Sequence, residues 1–211
     1  MININICEIF GNTIQGEGPL AGQPATFVRL AKCIPPYCDF CDSKYSWEKG
    51  EQMSIDDVLI EIEKLPANLV VITGGEPYLQ KSVYDLIEKL SDKYRIQIET
   101  SGKVDIIRQV RNELIVCSPK QYNGKIHYNI VSSKPHFYKF VIGGKDDFRN
   151  VIEFVKRKEI PNSRVYLMPL TTNNEEVDIK IKQATVDLCV EFNFNYSARL
   201  HVDLWGQKRG V

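Results

Sequence analysis

Residues 27–46 read FVRLAKCIPPYCDFCDSKYS. This stretch places three cysteines, Cys33, Cys38 and Cys41, in a loop that follows a strand-like run. Thiolates so close together repel one another and need a positive centre, so the spacing favours metal ligation. A structural zinc site closes with four ligands, whereas an iron–sulfur cluster held by three would leave one iron open to a substrate or cofactor.

The composition suits one globular domain spanning residues 1–211. Of the 211 residues, 43% are hydrophobic and 26% are charged, and Lys plus Arg equals Asp plus Glu at 27 each. A formal net charge of zero offers no basic field, so we expect no nucleic acid and no membrane as partners. No apolar run reaches the roughly 18 residues of a membrane helix, and the N-terminus lacks the basic start of a signal peptide. Six cysteines in such a chain predict reduced thiols, and therefore a cytoplasmic location.

Strand and helix patterns alternate along most of the chain. Alternation of this kind predicts parallel strands with right-handed crossovers, so an α/β sheet or an incomplete barrel. After a first strand around residues 2–6, the strands are predicted at 25–30, 69–73, 95–99, 113–117, 137–142, 164–168 and 198–202. The helices are predicted at 54–64, 81–93, 104–111, 146–156 and 175–192.

The loops that follow these strands should meet at one mouth, because crossover connections put the C-terminal ends of parallel strands on one face. They are the cysteine loop and residues 74–76, 99–102, 118–120 and 168–171. Residues 121–136 form the one long irregular stretch, which we interpret as a surface insertion or a lid.

Several residues near the cysteines have two interpretations. Arg29 lies in an apolar run four residues before Cys33, where it fits either a substrate carboxylate or a structural ion pair. Gly74-Gly75-Glu76 is not a dinucleotide fingerprint; it suits a turn whose main chain meets a polar ligand, or a plain strand-to-helix turn. Ser43 could ligate a hard cation such as Mg²⁺ through its hydroxyl, or only bond within the loop.

The motifs together resemble a known family. The three cysteines followed by Gly74-Gly75-Glu76-Pro77 resemble the radical S-adenosylmethionine superfamily. Residues 13–18 (TIQGEG), 27–30 (FVRL) and 41–47 (CDSKYSW) narrow the resemblance to the 7-carboxy-7-deazaguanine synthases. The resemblance covers most of the chain and is strongest over residues 8–47 and 73–77.

The resemblance implies a partial, open (β/α)6-type parallel barrel that acts as a homodimer. It also implies a 4Fe–4S cluster, S-adenosylmethionine and Mg²⁺ as cofactors, and a flavodoxin or ferredoxin as the reductant. The implied reaction converts 6-carboxy-5,6,7,8-tetrahydropterin to 7-carboxy-7-deazaguanine with loss of ammonia, through hydrogen abstraction by a 5′-deoxyadenosyl radical.

The resemblance assigns roles to particular residues. The metal ligands implied are Cys33, Cys38 and Cys41 for the cluster and Ser43 for Mg²⁺. The residues implied to contact S-adenosylmethionine are Phe40, Cys41, Asp42, Gly75, Glu76, Ser118, Pro119, Lys120, Met168 and Thr171. The residues implied to contact the pterin are Ile14, Gln15, Gly16, Arg29, Thr73 and the C-terminal Val211, with Arg29 near the pterin carboxylate.

Two features depart from the family pattern. Four residues, Ile34 to Tyr37, separate the first two cysteines where the superfamily usually has three. Residues 168–171 (MPLT) replace a more polar segment, so contacts there are expected from the main chain. The rival hypotheses are an activase that generates a glycyl radical in a partner protein, and a non-enzymatic zinc or electron-transfer module.

Overall fold

The computed structural model describes residues 2–48, 50–123, 125–172, 174–206 and 208–211. Within them the strands are β1 Asn3–Ile14, β2 Pro24–Leu30, β3 Glu51–Ser54, β4 Leu69–Gly74, β5 Arg95–Thr100, β6 Glu113–Cys117, β7 Lys120–Tyr122, β8 Lys125–His127, β9 Phe137–Ile142, β10 Val165–Pro169 and β11 Asn195–Tyr196. The α-helices are α1 Ile55–Glu63, α2 Val83–Ser91, α3 Lys145–Arg157, α4 Glu175–Phe192 and α5 Leu200–Trp205.

Nine strands form one sheet in the order β11-β10-β9-β6-β5-β4-β2-β1-β3. From β2 to β11 every neighbouring pair is parallel, whereas β1 pairs antiparallel with both β2 and β3 at one edge. The sheet does not close on itself, since β11 and β3 are its two edges. The predicted α/β fold with an open, largely parallel sheet is therefore confirmed.

The two faces of the sheet differ in chemistry. On the outer face, side chains such as Ile72, Ile98 and Phe140 join the main hydrophobic core with helices α1 to α4. Neighbouring residues along a strand point to opposite faces. Arg29, Thr73, Glu99 and Lys139 therefore project from the inner face, where they line a cavity. The sheet therefore has an apolar outer face, and an inner face that is polar at the C-terminal ends of the strands and carries a small apolar cluster around Ala25, Leu69 and Val71.

Local sequence explains where the helices begin. The Ser54 hydroxyl accepts a hydrogen bond from the Asp57 amide and caps α1, the helix predicted at 54–64. The Asn174 side chain caps α4 in the same way through the Val177 amide. Within the described ranges, no helix combines the length and the apolarity needed to cross a membrane.

Two predicted elements are wrong. Residues 104–111 form no helix, because side chains bind their amides: Ile107 donates to Tyr84 and Val110 donates to Glu113. Residues 198–202 form no strand, since Leu200–Trp205 is helix α5 and the short β11 pairs with β10 instead. A short apolar run fits the helical period of 3.6 residues and the strand period of two equally well. Contacts with neighbouring parts of the fold therefore decided the structure of both segments.

The long stretch at 121–136 is only partly irregular. Strands β7 and β8 form a small antiparallel hairpin in which Lys120 pairs with His127. The remaining residues lead to β9, and Ile130 is buried in the main core. The hairpin stands apart from the main sheet and packs beside the cysteine loop, where Tyr122 contacts Cys38.

Candidate active site

A cavity of about 350 Å³ opens where the parallel strands end. The strand-end loops predicted to converge do meet here, and the C-terminal tail closes one side. Residues from these different elements that line the cavity include Arg29, Cys33, Thr73, Gly75, Glu99, Ser118, Lys139, Met168, Arg199 and Val211. The crossover topology places the cavity at the C-terminal edge of the sheet, the usual ligand site of parallel α/β folds.

The cysteine loop is held by main-chain hydrogen bonds at both ends. The Lys32 amide donates to the Ser46 carbonyl at 2.8 Å, and the Cys33 amide donates to the Trp47 carbonyl at 3.1 Å. Between these anchors, the Cys41 amide donates to the Cys38 carbonyl at 3.2 Å. All three thiols are free, partly buried and exposed to the cavity.

The glycine turn after β4 lies against this loop. The Gly75 amide donates to the Leu30 carbonyl at 3.1 Å, and the Glu76 amide donates to the Lys32 carbonyl at 2.9 Å. A Cβ atom on Gly75 would lie 2.0 Å from the Lys32 carbonyl oxygen, so only glycine fits at this approach. The two amides thus bind the end of β2 and the start of the cysteine loop, and the remaining turn surface faces the cavity.

Arg29 lies between two hydrogen-bond acceptors, Glu8 and Ser43, and near the aromatic rings of Phe10 and Tyr45. Its Nε donates to Glu8 at 2.7 Å and its Nη1 donates to the Ser43 hydroxyl at 3.1 Å. Glu8 is shared with Arg209 of the C-terminal tail, whose Nε lies 2.8 Å from the second carboxylate oxygen. Burial opposes ionisation of Glu8, but the hydrogen bonds from Arg209, Arg29 and Tyr45 outweigh it and lower its pKa. Two guanidinium groups therefore share one carboxylate, which leaves positive charge for an anionic ligand.

A buried ion network around Lys139 lies on the inner face of the sheet. Lys139 Nζ lies 2.7 Å from Glu17 and 3.0 Å from Glu99, and only 5% of its side chain is exposed. Arg199 contacts Glu17 at 3.2 Å and also pairs with Asp42 of the cysteine loop. The network joins five parts of the chain that are remote in sequence, at residues 17, 42, 99, 139 and 199.

The network sets the charge of its own members. Burial opposes ionisation of Glu17, but Lys139 and Arg199 outweigh it and hold the pKa of that carboxyl below its ordinary value. Burial also opposes the charge on Lys139, yet Glu17 and Glu99 raise its pKa. Burial also raises the pKa of the Glu99 carboxyl. The attraction of Lys139 lowers it, but by less, so the net shift is upward. Of the two carboxyls that bind Lys139, Glu99 is therefore the more ready to take up a proton.

Comparisons with known proteins agree with this geometry. Residues 35–181 match the model of the radical S-adenosylmethionine (SAM) superfamily. The 7-carboxy-7-deazaguanine synthase of Hyperthermus butylicus is 36% identical, over 94% of this chain and 92% of that protein. The synthase of Pyrobaculum aerophilum is 34% identical, over 98% of this chain and 97% of its own length. The crystal structure of QueE from Escherichia coli superposes with a TM-score of 0.78 at 28% identity, over 94% of this chain and 95% of that one.

The chain belongs to the 7-carboxy-7-deazaguanine synthase family of the radical SAM superfamily. Membership of that superfamily implies a 4Fe–4S cluster and S-adenosylmethionine, as the resemblance predicts. The glycyl-radical activase finds no support among these relatives.

The donor set fits the cluster of a radical SAM enzyme. Three free sulfurs border an open cavity, which matches a cluster held at three irons with its fourth facing a ligand. Among the residues that the structure describes, no three His, Cys, Asp or Glu side chains are grouped to hold one metal ion. A single ion would need every sulfur about 2.3 Å away, whereas a cluster takes each sulfur on a different iron. Burial raises the pKa of Cys33 and of Cys41, so an electropositive partner is needed to ionise them.

Most of the residues predicted for this radical SAM enzyme meet at the cavity. Those that line it are Ile14, Gln15, Gly16, Arg29, Cys33, Cys38, Phe40, Cys41, Asp42, Ser43, Thr73, Gly75, Ser118, Lys120, Met168, Thr171 and Val211. Their individual roles stay predictions, because convergence on a cavity does not by itself show which ligand each side chain contacts.

Glu76 and Pro119 are predicted to contact S-adenosylmethionine but are not among the residues that line the cavity, so their contacts stay predictions. The Glu76 carboxylate is fully buried and accepts hydrogen bonds from Thr100 Oγ1 at 2.8 Å and from the Ser101 amide at 2.9 Å. It therefore fixes the turn after β5. Pro119 is buried between the two lining residues Ser118 and Lys120.

The sequence interpretation missed the ion network of this radical SAM enzyme. Glu17, Glu99, Lys139, Arg199 and His201 all line the cavity. A charge inside an apolar strand is the signal that singled out Arg29, and Lys139 in the FYKFVI strand carries the same signal. Only the fold, however, brings its two carboxylate partners to it.

Proposed function

We propose that the chain converts 6-carboxy-5,6,7,8-tetrahydropterin to 7-carboxy-7-deazaguanine with loss of ammonia. The observation that carries this proposal is that the three cysteines and a polar, positively charged wall border the same cavity. A radical enzyme needs the first feature and an anionic heterocyclic substrate needs the second. The names and coverage of the relatives support the same reaction.

The cluster and S-adenosylmethionine, when bound, supply the 5′-deoxyadenosyl radical that abstracts hydrogen from the pterin. The chain supplies position and exclusion of water. Cys33, Cys38 and Cys41 would hold the cluster at one wall of the cavity. The residues proposed to border S-adenosylmethionine are Phe40, Asp42, Gly75, Ser118, Lys120, Met168 and Thr171.

The opposite part of the cavity would bind the pterin. Arg29 would hold its carboxylate, since this guanidinium and that of Arg209 share only one carboxylate, Glu8. Gln15 offers an amide whose Nε2 already lies 3.5 Å from Glu99 Oε1. Such an amide matches the alternating donors and acceptors of a pterin ring. Ile14, Gly16 and Thr73 would complete the wall.

Ser43 would contribute an oxygen to Mg²⁺. Its hydroxyl donates to Asp42 Oδ1 at 2.9 Å, so two oxygen atoms of the kind that Mg²⁺ prefers lie together beside Arg29. Magnesium usually keeps several waters and takes one or two protein oxygens, with the substrate completing the shell. A Ser43→Ala enzyme should lose the dependence of its rate on added Mg²⁺, and Ser43→Thr should retain it.

The assembly, the reductant and the location are further parts of the proposal. We infer a homodimer in the cytoplasm that receives electrons from a flavodoxin or ferredoxin. Apolar side chains exposed on α4, such as Val190 at 78%, support a protein interface there. Light scattering of the native chain and a Val190→Glu variant tests the dimer, because a charge at such an interface should favour the monomer.

Anaerobic turnover tests the reaction directly. The reconstituted protein is incubated with the tetrahydropterin, S-adenosylmethionine and a reductant, and the products are identified by mass spectrometry. We expect 7-carboxy-7-deazaguanine and 5′-deoxyadenosine without any protein partner. A colourless protein that binds no iron and releases no 5′-deoxyadenosine would refute the proposal.

A further inference from the structure

The hairpin β7–β8 contacts the cysteine loop through one side chain. The hydroxyl oxygen of Tyr122, at the end of β7, lies 3.0 Å from the sulfur of Cys38. The neighbouring Gln121 fixes the hairpin to α3, because its amide donates to the Asp147 carbonyl and accepts from Asn150 at 3.0 Å. Tyr122 therefore approaches the sulfur from a hairpin that is anchored elsewhere.

Lys103 binds the cysteine loop through main-chain carbonyls. Its side chain is buried, and its Nζ donates to the carbonyls of Ile34, at 3.2 Å, and of Pro36. The same Nζ donates to the Tyr122 hydroxyl at 3.1 Å and lies 4.8 Å from the centre of that ring. One ammonium group thus binds both the spacer between the first two cysteines and the hairpin beside them.

The contacts of Lys103 and Tyr122 lie at the one place where the cysteine loop departs from the family pattern. The spacer of residues 34–37 has one residue more than usual. The extra residue adds one main-chain carbonyl, which needs a hydrogen-bond partner where it is buried. Lys103 binds two carbonyls of that spacer. A Cys38 thiolate on iron has no proton to give, so Tyr122 must donate to the sulfur while it accepts from Lys103.

We propose that Lys103 and Tyr122 are positioning residues that hold the lengthened spacer and raise the reduction potential of the cluster. A hydrogen bond to a cluster sulfur and a nearby positive charge both stabilise the reduced cluster, which is the more negative form. The inference rests on the proposed function, since it requires the cluster at these three cysteines.

The decisive variant is Tyr122→Phe, which keeps the ring and removes the hydroxyl. We expect the midpoint potential of the reconstituted cluster, titrated anaerobically and followed by electron paramagnetic resonance, to become more negative than in the native protein. Tyr166→Phe is the matched control, because Tyr166 packs edge-on against Phe137 and does not line the cavity. The midpoint potential of the cluster in Tyr166→Phe should equal that in the native protein.

A second variant, Lys103→Met, tests the support of the spacer. We expect a lower iron content per folded chain and a more negative potential in the chains that hold a cluster. Lys93→Met, which removes an exposed ammonium two residues after α2, is its control. Circular dichroism reports folding of each variant, so that loss of iron in a folded Tyr122→Phe protein also supports the proposal.

Native-like potential and native-like iron content in Tyr122→Phe would overturn the inference, whatever Lys103→Met does. That result leaves the proposed function intact, because the native protein would still carry its cluster. Native protein that takes up no iron would instead refute the proposed function itself.

Discussion

At the scale of single residues, the site depends on charges that are only partly neutralised. Arg29 and Arg209 share Glu8, and both guanidinium groups lie at the cavity. A structural ion pair and a substrate contact, the two interpretations of Arg29 from sequence, are therefore compatible. Glu8 orients the guanidinium, while the remaining positive charge is available to a carboxylate.

Arg29→Gln should raise the KM for the tetrahydropterin by about 10- to 100-fold, the effect of losing a charged hydrogen bond of about 1.5–3 kcal/mol. Iron content should not change, because Arg29 makes no contact with the cysteines among the hydrogen bonds of the described residues. Steady-state kinetics and iron analysis measure both. Arg95→Gln, which removes an exposed guanidinium bonded to Gln23, is the control. Loss of iron in Arg29→Gln would contradict the assignment.

Glu113, at the opposite end of the sheet, makes stability depend on pH. Burial raises its pKa from 4.5 to about 7, and only its Oε1 accepts a hydrogen bond, from the Val110 amide at 2.9 Å. Between these two values the folded chain binds more protons than the unfolded chain, so this residue makes stability fall as pH rises from 4.5 to 7.

Glu113→Gln should therefore increase the free energy of unfolding by about 1–2 kcal/mol at pH 8 and change it little at pH 4.5. Urea unfolding at the two pH values measures this difference. The control is Glu61→Gln, which removes an exposed carboxylate paired with Lys64. A Glu113→Gln protein with the native pH dependence would show that the carboxyl does not cause it.

At the scale of elements, the site depends on the close approach of two strand-end loops. The turn after β4 donates one amide to the end of β2 and one to Lys32 of the cysteine loop. Glycine at position 75 permits this contact, because a Cβ atom there would lie 2.0 Å from the Lys32 carbonyl oxygen. The β4 turn is thus a support for the cluster ligands as much as a ligand surface.

Gly75→Ala should separate the two loops, lower the iron content and reduce stability by about 1–3 kcal/mol, the usual cost of overpacking. Gly144→Ala is the matched control: its φ of −176° suits any residue, and a Cβ atom there would meet nothing within 4 Å. Iron analysis and thermal unfolding compare the pair. Equal iron content in both variants would mean that the contact does not position the cysteines.

At the scale of the whole molecule, the ion network joins parts of the chain that no local signal connects. Lys139 on β9 contacts Glu17 beyond β1 and Glu99 on β5, and Arg199 extends the network to Asp42. These contacts link residues of β5 and β9 with the loops that follow β1, β2 and β11.

Lys139→Met should lower the free energy of unfolding by about 3–5 kcal/mol, because it leaves two carboxylates buried without their shared cation. Lys139→Met with Glu99→Gln should recover part of this loss, since one buried charge is then removed. Lys182→Met, which breaks an exposed pair with Asp203, should cost no more than about 1 kcal/mol. A similar small cost for Lys139→Met, measured by urea unfolding, would contradict a structural role for the network.

The sequence by itself determined most of the succession of strands and helices, the cysteine site and the convergence of strand-end loops. These follow from hydrophobic period, capping and crossover geometry, which act over a few residues or through simple topology. The tertiary structure alone decided that Glu76 turns into the protein, that residues 200–205 are helical, that Tyr122 meets Cys38 and that Lys139 meets two carboxylates. Each of these depends on partners far apart in the chain, whose contact is favourable only once the rest of the sheet has brought them together.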